Sequence, residues 1–242
     1  MRERSNRADS KSVDLSGGPW VRIPLSPFFS GIIMEKKPKY TPREEFANAF
    51  THSIAAMLSI YAIVMLAVNS DTPVQAASTA IFGSMLFLSF QSSTLYHAMV
   101  NEKAKQVFRR IDHSAIFMLI AGTYTPILLM TVEFPLSVAL LAITWYLAVT
   151  GVIYSCMTLK FKYLSTGLCL IMGWLSLFLI YSIWNNACHS AVWFLLLGGF
   201  FYSAGCLFYL SKRRYMHTVW HIFVIAGAAA HYLCIMEILK AV

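Results

Sequence analysis

Seven stretches of this chain run for roughly 20 residues each with almost no charged side chain: 47–68, 75–98, 112–131, 135–157, 164–184, 191–210 and 217–239. Asp112 and Glu237 are the only acidic residues inside them, each near an end. Bilayer hydrocarbon is about 30 Å thick and a helix rises about 1.5 Å per residue, so each stretch is long enough to cross it. The apolar runs do not alternate with polar residues, as AVWFLLLGGFFYSAGCLFYL illustrates, and this argues against a membrane β-barrel. Helices satisfy their own backbone groups in lipid. The chain reads as an all-α integral membrane protein, a seven-transmembrane-helix bundle within residues 41–242.

Charge distribution sets an expected orientation. Nine Lys and Arg precede the first span, and the next three connections on that side carry four, two and three more (Lys103, Lys105, Arg109 and Arg110; Lys160 and Lys162; Lys212, Arg213 and Arg214). Connections on the other side carry none, and Lys240 alone lies in the C-terminal tail, so 18 of the 19 basic residues share one side. An excess of Lys and Arg marks the cytoplasmic face, so the N-terminus is expected inside and the C-terminus outside. The net charge of +8 is then a topology signal that also suits anionic lipid, and nucleic acid is not an expected partner. Five cysteines are scattered through or beside spans without CxxC spacing and are read as small packing residues.

Residues 1–40 differ from the rest. RERSNRADSKSVDLSGGP is polar, and IPLSPFFSGIIM is broken by Pro24 and Pro27, with no apolar run long enough for a signal peptide. A disordered extension is expected here, with a start at Met34 as the alternative. Thr41 before Pro42, with Glu44 and Glu45 following, predicts a helix start. Pro126 is expected to kink span three. Gly198, Gly199 and Gly205 are expected to allow close packing of span six.

With seven spans, the polar residues collect at one level. Span two runs inward and puts Ser93 and His97, four apart on one face, in its last turns. Span three starts at Asp112 on the same side. His217 and His221 share one face at the start of span seven, and Glu45, Asn48 and His52 form one stripe at the start of span one. Three imidazoles and an open fourth position make a catalytic zinc set; the i, i+4 pair His217 and His221 offers two ligands and His97 is the candidate third, polar residues at helix ends being the alternative reading. Asp112 is a carboxylate at the right level to bond the metal's water or orient an imidazole. His113, about 100° around the helix from Asp112, is expected to be structural. His189 and His231 fall toward the opposite side.

These residues carry a resemblance. ExxNxxxH as Glu45, Asn48 and His52, SxxxH as Ser93 and His97, RRIDHSAIFMLIAGTYTPILL around Asp112, MGWLSL, and HxxxH as His217 and His221 together resemble the bacterial haemolysin III proteins, which belong with the progestin and adipoQ receptors. The resemblance covers roughly residues 41–239. It implies seven helices in a bacterial inner membrane with a cytoplasmic N-terminus. It also implies a Zn2+ ion on His97, His217 and His221, with Asp112 near its water. In related receptors and alkaline ceramidases the arrangement is associated with hydrolysis of ceramide-like amides. Hydrolysis of a lipid amide or ester is therefore the leading expectation, with Asp112 and Ser93 as catalytic residues, membrane lipid as partner and lipid homeostasis as role. A pore-forming cytolysin and a lipid sensor with structural zinc are the alternatives.

Overall fold

A computed structural model describes residues 40–160 and 162–242. The expected N-terminal extension, apart from Tyr40, and the alternative start at Met34 lie outside these residues. The described chain is helical, with α1 (Pro42–Val68), α2 (Pro73–Ala98), α3 (Glu102–Thr131), α4 (Leu136–Met157), α5 (Lys162–Trp174), a 3-10 turn (Leu175–Leu179), α6 (Ile180–Asn186), α7 (His189–Leu210) and α8 (Met216–Ala241). Seven segments are long and apolar enough to cross a membrane, α5 through α6 forming one of them as Lys162–Asn186.

Local chemistry fixes where these helices begin. Thr41 caps α1 through a capping box: its hydroxyl accepts from the Glu44 N–H, and its own N–H donates to Glu44 Oε2 at 2.9 Å. Thr72 and Gln75 repeat the arrangement at the start of α2. Asn101 Oδ1 accepts from the N–H groups of Lys103 and Ala104, so α3 starts at Glu102. Hydropathy alone placed span three at residue 112. The polar KAKQVFRR stretch is invisible to a hydropathy window, yet it extends α3 below the apolar region and carries Lys105 toward α1.

α8 begins differently. Tyr215 adopts the left-handed conformation at φ 60°, uncommon for a side chain of this size, and its N–H donates to Glu44 Oε1 at 3.0 Å. One carboxylate thus fastens the starts of α1 and α8. Basic side chains close helix ends on the same side: Arg110 donates to the carbonyls of Ser155 (3.3 Å) and Cys156 (2.5 Å) at the end of α4, and Lys162 donates to the Tyr209 carbonyl near the end of α7. We call this the basic end.

Pro126 lies inside α3, which is helical on both sides of it, and the fifth span is interrupted by a 3-10 turn. The 3-10 turn after Trp174 frees backbone carbonyls, and the Tyr124 hydroxyl donates to those of Met172 (2.9 Å) and Gly173 (3.1 Å). Trp174 Nε1 donates to Ser203 Oγ at 2.9 Å, which ties the same turn to α7.

Successive helices pack side by side from α1 to α4, α7 pairs with α8, and α8 returns to touch α1, α2 and α3. α3 is the central helix: 72% of its apolar window is buried, against 17–50% for the other six. The outward faces are apolar. Phe46, Met57, Tyr61 and Val68 along α1 are 61–72% exposed, as a lipid-facing surface requires. The interior holds the polar groups instead, with Asn48, His52, Ser93, His97, Asp112 and His221 all buried. In lipid such groups must find partners inside the protein or from a bound species.

Candidate metal centre

Three imidazoles meet where α2 ends and α8 begins. His97 Nε2 and His217 Nε2 lie 3.2 Å apart, and one ring nitrogen from each of His97, His217 and His221 falls within a 4.8 Å span. Two nitrogens bound to one tetrahedral zinc at about 2.0–2.1 Å stand about 3.3 Å apart, so the His97–His217 separation fits such a site. His97 and His221 are sealed from the surroundings, at 3% and 0% exposure.

Hydrogen bonds at the opposite ring positions decide which nitrogens are free. His97 Nδ1 donates to Glu45 Oε2 at 2.6 Å, leaving a lone pair on Nε2. Glu45 Oε1 is held in turn by Lys105 Nζ at 2.6 Å. His221 Nδ1 lies 3.2 Å from both the Asn48 carbonyl and the Thr51 hydroxyl, and donation there leaves Nε2 as the acceptor. That Nε2 is buried and has no partner among the described residues. A buried lone pair without a partner, gathered with ring nitrogens of His97 and His217, makes a group that could hold a cation. The donor set, three imidazoles with a carboxylate behind one of them, fits zinc.

The stripe Glu45, Asn48 and His52 on α1 serves three different ends. Glu45 orients His97. Asn48 offers its carbonyl to His221, and its Oδ1 accepts from Thr218 Oγ1 at 2.6 Å. His52 lies flat on His221, with ring centroids 3.6 Å apart and planes 12° from parallel. Tyr40, just before α1, covers the basic side of the cluster, stacked on His217 at 5.1 Å. Burial pushes the Tyr40 phenol up from its ordinary value, so it stays neutral beside Glu45.

Beside the cluster lies a cavity of ≈ 140 Å³ bordered by His52, Ser89, Asp112 and His113, and continuing between α3, α5, α7 and α8 to Thr123, Ile127 and His231. Its walls are mostly apolar, with Leu119, Ile120, Leu170 and Val224 among them. Asp112 is 5% exposed. Ser93 Oγ is buried without a partner among the described residues, one turn before His97 on α2.

One expectation changes here. His113 does not turn away from Asp112: its Nδ1 is 3.4 Å from Asp112 Oδ2, and its Nε2 is 3.3 Å from the Tyr209 hydroxyl. Angular separation on a helix describes Cβ directions, and a long ring swings back across it. His231 does lie away from the three imidazoles, yet it lines the far part of the same cavity, where its Nε2 meets the Leu195 carbonyl at 3.3 Å. Gly198 makes room for that ring, since a Cβ there would come within 2.2 Å of it. Sequence reasoning also passed over Lys105, Glu44, Tyr40 and Tyr209. Lys105 had a signal in the Asn101 cap, which places it in the first turns of α3; the other three act through tertiary contacts that spacing does not reveal.

Comparison with known proteins agrees with this architecture. The family model described as haemolysin-III related matches residues 40–232. A hemolysin-3 homolog of Bacillus subtilis (strain 168) is 41% identical over 202 residues, covering 81% of this chain and 95% of the relative. Hemolysin-3 of Bacillus cereus is 39% identical, covering 80% and 91%. The human monocyte to macrophage differentiation factor is 29% identical over 209 residues, covering 83% and 87%. A match over most of the chain, together with seven membrane-length helices, makes this a multi-pass membrane protein that belongs to the haemolysin-III related family.

Proposed function

We propose that this chain is a zinc-dependent hydrolase of a lipid amide or ester, acting in membrane lipid homeostasis. In this reading it sits in the cell membrane with its N-terminus and basic connections on the cytoplasmic side, following the distribution of Lys and Arg. One observation carries the proposal: the unpartnered His221 Nε2 is gathered with nitrogens of His97 and His217 next to an apolar cavity that also holds a buried carboxylate, Asp112.

A zinc ion held by the three imidazoles supplies Lewis acidity, polarising a carbonyl and bringing the pKa of water down to about 7. Everything else falls to the chain. Glu45, steadied by Lys105, keeps His97 in the tautomer that leaves Nε2 free. Asp112 takes the proton that the attacking water loses and returns it to the departing amine or alcohol. His113 Nδ1 lies 3.4 Å from the Asp112 carboxylate and borders it on the same helix. Ser93 Oγ, buried and unpartnered, has a hydrogen to give to the oxyanion that develops on the carbonyl. The apolar cavity takes the acyl arm and keeps bulk water away from it.

The test is turnover of long-chain amides and esters, ceramide included, by purified zinc-loaded protein. Wild type is expected to hydrolyse at least one of them, and Asp112→Asn to lose roughly a hundredfold or more in kcat while keeping its zinc. A different reading, a lipid sensor with structural zinc, draws on the sparse direct packing of α2 against α8, which the ion would join. Under that reading zinc raises the melting temperature and no substrate is turned over. The relatives' names also bring a pore-forming reading to this chain. Against it, the ionisable groups buried among the described residues gather at the basic end and form no stripe through the bundle.

A further inference from the structure

Among the described residues, His52 is buried with both of its ring nitrogens unpartnered. It is 3% exposed, and neither Nδ1 nor Nε2 has a hydrogen-bond partner of normal geometry among the described residues. Its faces are occupied: His221 stacks on it at 3.6 Å, and Phe90 meets it edge-on at 5.2 Å. An imidazole makes its hydrogen bonds in the plane of the ring, so stacking leaves both nitrogens unserved. An N–H buried without a partner is destabilising, and here the ring borders the cavity together with Ser89 and Asp112. The group is also too far from the three converging nitrogens to count among them.

We infer that His52 is a substrate-binding residue: its ring N–H holds the carbonyl or carboxylate oxygen of an acyl chain lying in the cavity. Three features select that ligand class. The free group is a ring N–H buried without a partner, which suits an oxygen acceptor. The site adjoins His221, so the oxygen it holds is next to the metal's place. Beyond it the cavity is apolar, lined by Leu119, Ile120, Ile127 and Val224, which suits a hydrocarbon chain. The assignment deepens the hydrolase reading and rests on it for the acyl nature of the ligand.

The experiment is titration calorimetry of dodecanoate, a product-like acyl chain, into zinc-loaded full-length protein in a maltoside detergent. His52→Phe keeps an aromatic ring on His221 and removes both nitrogens; His52→Gln restores a donor. Expected are unchanged zinc content in both variants, dodecanoate affinity roughly tenfold weaker in His52→Phe, and affinity in His52→Gln closer to wild type. Equal affinity in wild type and His52→Phe overturns the assignment, as does loss of zinc from a folded His52→Phe, which would make His52 a ligand. Failure of dodecanoate to bind wild type overturns the acyl class. If the phenyl variant does not fold, His52→Leu carries the same comparison. Binding that depends on His52 without any lipid turnover would sink the hydrolase reading alone. Turnover with a His52→Phe KM and dodecanoate affinity equal to wild type would sink this assignment alone.

Discussion

Glu45 and His97 meet at 2.6 Å, although 52 residues separate them, and the contact fixes which nitrogen of His97 is free. A carboxylate behind a ligating imidazole makes it a stronger ligand and holds its ring at the right angle. Lys105, 2.6 Å from the other Glu45 oxygen, offsets what would otherwise be a buried charge with one weak partner. The carboxylate therefore connects α1, α2 and α3 at the point where the three imidazoles gather.

Removing that support is expected to loosen the metal without removing a ligand. Glu45→Ala should weaken zinc binding by roughly 10–100-fold, as loss of such a partner does elsewhere. Glu45→Gln keeps an acceptor oxygen and should lose less. Competition against a chromogenic chelator measures both, and an unchanged affinity in Glu45→Ala would mean that Glu45 serves only the packing of α1.

The broken fifth span gives a prediction about stability. Tyr124 supplies the hydroxyl that answers the carbonyls of Met172 and Gly173, and it does so inside the bundle where no water replaces it. Tyr124→Phe is expected to lower unfolding free energy by about 1–3 kcal/mol, the cost of leaving a buried acceptor unpaired. Thermal unfolding in detergent reads the change. Zinc affinity should not move, because Tyr124 lies in the body of the cavity away from the three imidazoles.

Much of the fold was legible because lipid is an unforgiving solvent. A helix crossing it must be apolar for about 20 residues, so the absence of Lys, Arg, Asp and Glu marks each span. What hydropathy misses is where a helix continues into polar sequence: α3 begins at Glu102 because Asn101 caps it, ten residues before Asp112. Gathering of the imidazoles was anticipated by a different rule, since His217 with His221 and Ser93 with His97 stand at i, i+4 and basic loops put both pairs at one level. The partners that tune them were not legible. Glu44 on Tyr215, Asp112 against His113 and His52 flat on His221 are contacts between helices or around a helix, and neither period nor spacing encodes them. The 3-10 turn at Leu175–Leu179 was equally hidden, because LSLFL is as good an α-helical sequence as its neighbours.

The central claim is that His97, His217 and His221 together hold a zinc ion, and metal analysis of purified protein tests it most directly. Elemental analysis by plasma mass spectrometry should find close to one zinc per wild-type chain. A His217→Ala/His221→Ala variant that elutes as a folded species should hold almost none. Equal zinc in the two proteins, or none in wild type purified without chelator and supplied with zinc, would contradict the account.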